Sequence, residues 1–149
     1  VSDGILYVSY VPLQVYCWIA WLRHGSAQEA FRPTWLPRVP QVVLLFSALV
    51  AVVLWGLGVK YLSQHVSWMT APALLWRDAT TTVLSYFAQL LQARKRMENW
   101  IGWVIVNVLG IHIYLLRGSP VYAAQYGFFL ILGLYGWWSW HRARKEAIA

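Results

Sequence analysis

Glu98-Asn99-Trp100-Ile101-Gly102-Trp103-Val104-Ile105-Val106-Asn107 opens an apolar segment just after the basic triplet Arg94-Lys95-Arg96. At a helical step of roughly 100° per residue, Trp100, Trp103 and Asn107 fall on one narrow stripe. An amide beside two indoles inside a membrane-length helix is what a site for a flat, polar aromatic molecule requires. The same stripe also suits an interfacial anchor followed by a packing asparagine, so its surroundings have to decide.

Those surroundings are 60% hydrophobic and only 11% charged, with 11 tryptophans and 9 tyrosines in 149 residues. Soluble domains carry about a quarter charged residues, so this balance points into the bilayer. Residues 4–22 and 41–59 are free of charge, and 74–93 carry only Arg77 and Asp78, near their start. Residues 100–116 and 121–140 have no charge beyond a proton on His112. Each stretch is 17 to 20 residues long, the length a helix needs to cross roughly 30 Å of hydrocarbon. The expected fold is an all-α membrane protein with five visible transmembrane helices.

The net charge of +7 would suit nucleic acid if it formed one patch, but it alternates with the spans. Arg23, Arg32 and Arg38 follow the first span, Arg94, Lys95 and Arg96 the third, and Arg142, Arg144 and Lys145 the fifth. The other side holds only Lys60, Arg77 and Arg117. This is the positive-inside pattern: amino terminus outside, basic carboxyl tail in the cytoplasm, and the lipid bilayer rather than nucleic acid as partner. Cys17 is the single cysteine, which excludes an internal disulfide or a Cys-x-x-Cys pair, and reads as a small packing residue. The first span lacks the basic leader of a cleavable signal peptide. The chain opens at Val1 with a helix three residues on, and we expect a sequence incomplete at its amino end.

Residues 23–40, with Gly25, Pro33, Pro37 and Pro40, read as a cytoplasmic loop. Residues 60–73, with Tyr61, His65 and Trp68, read as an external one. The later joints, 97–99 and Arg117-Gly118-Ser119-Pro120, are tight, which makes the last three helices sequential antiparallel neighbours. The second span has almost no polar side chain and reads as a lipid-facing connector. The expected division is 1–39, a helix closing a first unit plus its loop; 40–73, a linker helix and external loop; and 74–149, a three-helix unit with a basic tail.

An internal echo supports that division. Tyr16-Cys17-Trp18-Ile19-Ala20-Trp21-Leu22-Arg23 aligns with Tyr135-Gly136-Trp137-Trp138-Ser139-Trp140-His141-Arg142 at an offset of 119, and Tyr7 and Leu13 pair with Tyr126 and Leu132. Two aromatic belts above basic flanks would give the same pattern without a repeat. A true repeat makes the first and fifth spans equivalent, with parallel three-helix units around a linker and substrate held between them.

The third span carries a second polar stripe, Asp78, Thr82, Ser85 and Gln89, within about 60° on a helix. Lipid cannot satisfy such a stripe, so it faces protein or a water-filled cavity. Taken singly, each residue suits interhelical hydrogen bonding, and Asp78 suits a cap for a helix starting at Ala79. Taken together, they suit a cavity wall. Gly110 and Tyr114 extend the Trp100–Trp103–Asn107 stripe, while His112 lies on another face and reads as packing. On the fifth span Tyr122, Gln125, Phe129, Leu132, Gly136 and Ser139 share one side, with Gln125 directed at the third span. Gly136 and Ser139 permit close helix approach. Tyr7, Tyr10 and Gln14 supply facing polarity from the first span.

For an enzyme the inventory is poor. There is no His-Glu-x-x-His, no Gly-x-Ser-x-Gly, and no carboxylate pair within one span. Asp78 and Glu98 sit near opposite membrane faces, and no span carries the ionisable chain of a proton-driven pump. No metal or cofactor is expected.

From Trp76 onward the chain resembles the bacterial nicotinamide riboside transporter family, the Pnu-type vitamin transporters. The resemblance rests on Asp78, Thr81-Thr82-Val83-Leu84-Ser85, Ala88-Gln89, Ala93-Arg94-Lys95-Arg96, Glu98-Asn99-Trp100, and Trp103 with Asn107. It continues through Tyr114, Arg117-Gly118 and Tyr122 to Tyr135-Gly136-Trp137-Trp138-Ser139-Trp140. Leu6-Tyr7 and Tyr16-x-Trp18-x-x-Trp21 resemble the family's third helix. The resemblance implies a seven-helix 3+1+3 architecture similar to the SWEET sugar transporters, with two helices preceding this sequence. It also implies facilitated diffusion of an unphosphorylated vitamin across a bacterial inner membrane, the product being trapped by a cytosolic kinase. The family's Trp-x-x-Trp-x-x-x-Asn motif falls on Trp100, Trp103 and Asn107, the expected substrate contacts. Gln89, Ser85 and Gln125 join them by helix face. Ile101 and Gly102 replace bulkier residues common in the family. Alternatives are transport of another vitamin or nucleoside, such as thiamine or riboflavin, or a non-transporting membrane subunit. A homo-oligomer stays open.

Overall fold

Each stretch whose composition suggests a span folds as a helix. The helices are α1 Ser2–Arg23, α2 Arg38–His65, α3 Leu75–Ala93, α4 Glu98–Leu116 and α5 Pro120–Glu146. The computed structural model describes residues 2–23, 32–67, 69 and 73–146, with backbone alone for 2–7, 9, 21 and 23. Tyr7, Trp21 and Trp68, on which part of the sequence reading rests, therefore lie outside the described side chains.

Local chemistry accounts for the helix ends. Pro120 opens α5, where a missing N–H costs nothing. Pro40, expected in the loop, instead lies in the first turn of α2 for the same reason. Gly118, at φ 66°, closes α4: Ser119 N–H donates to the Tyr114 carbonyl at 2.9 Å and Gly118 N–H to that of Leu115 at 3.1 Å. That pair of bonds is a Schellman cap. Lys95, at φ 54°, closes α3 the same way, with Arg96 N–H on the Leu91 carbonyl at 2.9 Å and Lys95 N–H on that of Gln92 at 3.0 Å. These two caps turn the chain sharply enough to set α3, α4 and α5 side by side.

The helices form an open array. α3 packs against α1, α2 and α4, and α4 packs against α5, whereas the backbones of α3 and α5 do not approach each other. α1 runs parallel to α3, since Tyr10 Oη donates to the Ser85 carbonyl and Gln14 meets Gln89, pairs of equal sequence separation. α4 is antiparallel to both neighbours. Gly102 faces Ala88 on α3, while Trp100 meets Trp140 and Tyr114 meets Tyr122 on α5. Helix direction thus alternates as membrane crossing demands.

The tightest packing sits where residues 32–37 dock on the α3–α4 turn. Thr34 N–H donates to the Lys95 carbonyl at 3.2 Å, Met97 N–H returns a bond to the Thr34 carbonyl at 3.0 Å, and Arg96 Nη1 donates to Thr34 Oγ1 at 2.7 Å. Glu98 Oε1 accepts from Leu36 N–H at 2.6 Å and from Gln41 Nε2 at 2.9 Å. Met97, Asn99 and Pro33 are wholly buried there.

Two helices, α2 and α4, are long and apolar enough by themselves to cross a bilayer. α3 is diluted by its polar stripe and α5 by its tyrosines, glycines, tryptophans and Gln125. α2 buries only Ala48 and Gly56, and exposes Val42 (66%), Leu45 (71%) and Phe46 (67%). Such an apolar surface suits lipid rather than water. Cys17 is buried, its Sγ 3.7 Å from the Gln89 carbonyl, consistent with a packing role. His112 departs from expectation. It is exposed, because the face opposite buried Asn107 turns away from every other helix.

Candidate functional site

A cavity of about 640 Å³ lies among α1, α3, α4 and α5, in the gap between the backbones of α3 and α5. Its size is ordinary for a small-molecule site, which spans roughly 300–1,000 Å³. Trp100, Trp103 and Asn107 line it from α4, Ser85 from α3 and Gln125 from α5. Five of the six residues singled out in the sequence therefore share one cavity. Gln89 does not line it; its Nε2 donates to Gln14 Oε1 at 3.0 Å, where α3 meets α1.

The aromatic members are held by specific supports. The ring of Trp100 lies over Gly136, where a Cβ would come within 2.1 Å of Cη2, and meets Trp140 edge-on at 5.3 Å. Gly136 thus admits an indole rather than a helix backbone. The ring of Tyr126 covers Gly110 in the same manner and stacks on Tyr114 at 5.4 Å. Trp103 is oriented by a hydrogen bond, its Nε1–H donating to Gln92 Oε1 at 3.0 Å.

Polar groups differ in how far the fold has already used them. Ser85 Oγ donates to the Thr81 carbonyl at 2.7 Å and Thr81 Oγ1 to that of Asp78 at 3.0 Å. Tyr10 also gives its proton to a carbonyl. These three hydroxyls turn acceptor lone pairs toward the cavity, because each proton is spent on a carbonyl. Asn107, 5% exposed, makes no hydrogen bond among the described residues. Its amide atoms are not fully buried but open on the cavity wall, where an amide free of protein partners is suited to read a ligand.

Among the described residues, no side chain lining the cavity carries a formal charge. The nearest ion pair closes one end of the bundle: Arg117 Nη2 donates to Asp78 Oδ2 at 2.6 Å, and the Arg117 guanidinium lies 5.7 Å from the Tyr114 ring centre. Asp78 is therefore not a helix cap. α3 begins earlier, at Leu75, and Asp78 N–H already donates to the Leu74 carbonyl.

Gln92, Thr81, Val106, Tyr126 and Gly133 also line the cavity without having been assigned to it from sequence. Gln92 had a signal. It continues the four-three spacing of Asp78, Thr82, Ser85 and Gln89 by one more step of three.

The family model described as nicotinamide mononucleotide transporter matches residues 1–142. The chain belongs to the nicotinamide mononucleotide transporter family. Its similarity to the nicotinamide riboside transporter PnuC of Escherichia coli (strain K12) is 28% identity over 164 residues, covering 95% of this chain and 67% of that protein. The PnuC of Neisseria mucosa is 25% identical over 145 residues, covering 92% of this chain and 53% of its own. The riboflavin/roseoflavin transporter RibM of Streptomyces davaonensis is 28% identical over 146 residues, covering 92% and 63%. No solved structure gives a significant match. The match over 1–142 takes in α2 as well as the Trp100–Asn107 stripe, so membership of this transporter family does not hang on tryptophans alone.

Proposed function

We propose that this protein carries nicotinamide riboside across the bacterial inner membrane by facilitated diffusion. The observation that carries this reading is the uncharged cavity in which Trp100, Trp103 and Asn107 converge. Indole faces attract a planar cation by roughly 0.5–2 kcal/mol each, and the pyridinium ring of nicotinamide riboside is planar and permanently cationic. Asn107 offers donor and acceptor to its carboxamide, and the acceptor hydroxyls of Ser85 and Thr81 suit ribose. Gln125 is the polar contact from the opposite wall, whereas Gln89 serves the α1–α3 contact.

The same chemistry argues against the mononucleotide. A phosphate in this cavity would lose its water with no cation to meet it, a cost of at least several kcal/mol that two stacked indoles do not offset. A passage that accepts the nucleoside and rejects the nucleotide permits trapping: phosphorylation in the cytosol gives a product that cannot return. Neither a metal ion nor an energy-coupling group is needed for such a cycle.

In the arrangement we favour, all five helices span the bilayer, α1 closes one three-helix unit, α2 links, and α3–α5 form the second unit of a 3+1+3 transporter. Residues 1–39, 40–73 and 74–149 are its parts. The carboxyl terminus and Arg94-Lys95-Arg96 lie on the cytoplasmic side. Calorimetric titration of the purified protein in detergent tests the substrate. Nicotinamide riboside should bind and nicotinamide mononucleotide should not; equal binding of both, or binding of riboflavin alone, would overturn the assignment.

A further inference from the structure

We propose that Gln92 is the positioning residue of this site, holding the plane of the Trp103 indole so that its face is presented to the ligand. The inference rests on the transport reading above and adds a residue to it. Three observations carry it. Trp103 Nε1–H donates to Gln92 Oε1 at 3.0 Å, and both residues line the same cavity. Gly102, beside Trp103, lets α4 close on α3 until its Cα side faces the Ala88 methyl, where an added Cβ would stand at 3.0 Å. Ala88 lies one helical turn before Gln92, so that contact fixes the gap which the glutamine spans.

The need for an acceptor is physical. An indole N–H turned into a cavity walled by aromatic rings and lipid loses its hydration, and an unsatisfied buried donor is costly. Without Gln92 the ring is free to rotate about its χ2 until the N–H finds another acceptor, such as a carbonyl or the ligand itself. That rotation swings the π-face away from the position in which it stacks. Trp100 has no such tether among the described residues, since its Nε1 is buried without a partner there and its plane is set by Gly136 and Trp140. The two tryptophans of the stripe are thus oriented by different means, one by packing and one by a hydrogen bond.

A double-mutant cycle on the intact protein, read as calorimetric affinity for nicotinamide riboside, separates positioning from mere structure. Gln92→Met keeps length and removes the acceptor, and should weaken binding about fivefold, the equivalent of one neutral hydrogen bond. In a Trp103→Phe background, which has no N–H to hold, Gln92→Met should change affinity by less than about twofold. An equal loss in both backgrounds, or none in either, overturns the proposal. Should Gln92→Met fail to fold, Gln92→Ala in the same two backgrounds decides: a loss confined to the protein that keeps Trp103 supports the tether, and an equal loss in both refutes it. Wild-type protein that does not bind nicotinamide riboside refutes the transport reading instead, which keeps the two failures distinct.

Discussion

Trp100 and Gly136 occupy each other's space: the indole lies where the side chain of residue 136 would be, 2.1 Å from the ideal Cβ position. Nothing smaller than a ring displacement accommodates a methyl group there. Gly136→Ala should therefore push Trp100 out of its seat against Trp140 and weaken nicotinamide riboside binding about tenfold, a cost of roughly 1.4 kcal/mol. Gly127→Ala is the control. A Cβ at Gly127 meets nothing within 4 Å, so it should leave affinity unchanged and raise helix stability by up to about 1 kcal/mol. Calorimetric titration and thermal unfolding in the same detergent measure both effects.

Asn107 is the residue for which binding and stability should move in opposite directions. Its amide opens on the cavity and makes no hydrogen bond among the described residues, so the fold draws little stability from it. Asn107→Leu, close in volume, should raise the unfolding midpoint or leave it unchanged while lowering affinity by tenfold or more. A variant that both unfolds more easily and still binds would show the asparagine to be a packing residue.

Two charged residues of similar appearance in the sequence should contribute very differently to stability. Glu98 is 9% exposed and its Oε1 holds Leu36 N–H and Gln41 Nε2, fastening residues 32–37 to the start of α4. Glu98→Ala removes both bonds and should cost about 3 kcal/mol, with Glu98→Gln recovering much of it because an acceptor oxygen remains. The Arg117–Asp78 pair, with side chains 35% and 24% exposed, is screened. Arg117→Gln should cost about 1 kcal/mol or less. Unfolding midpoints that rank these two variants the other way would contradict the structural assignment.

How much of this was legible beforehand depends on whether a contact is local. The Trp100–Trp103–Asn107 stripe follows from helical spacing alone, and the structure keeps it on one wall. The turn at Gly118 is equally local, since glycine and proline announce it two residues apart. Gln89 and Gln92 were not separable, because both belong to one stripe about 80° wide. Only the parallel docking of α1, which brings Gln14 to Gln89, turns the first away and leaves the second in the cavity. Asp78 is a similar case: a cap is a local explanation, whereas its partner Arg117 lies on the far end of another helix. Periodicity defines faces, and tertiary pairing decides which neighbour each face meets.

The direction of the bundle yields the last prediction. α1 runs parallel to α3 while α4 opposes both α3 and α5, so the ends of α3 and α5 and the start of α4 gather at one end of the array. Residues 32–37 and the start of α2 join them through Thr34 and Glu98. Exposed Arg94 and Arg142 lie at that end, whereas the Asp78–Arg117 pair marks the other. Gly56 packs on Trp76 beside that pair, so Lys60, one turn further along α2, belongs to the opposite end from Arg94. Basic residues are retained on the cytoplasmic side because translocating them is costly. In a Cys17→Ser background, which removes the one thiol of residues 1–149, Lys60→Cys should react with a membrane-impermeant maleimide in intact spheroplasts. Arg94→Cys should react only after the membrane is permeabilised. Labelling of Arg94→Cys from outside, with Lys60→Cys protected, would invert the topology and with it the side on which Trp100 meets the departing substrate.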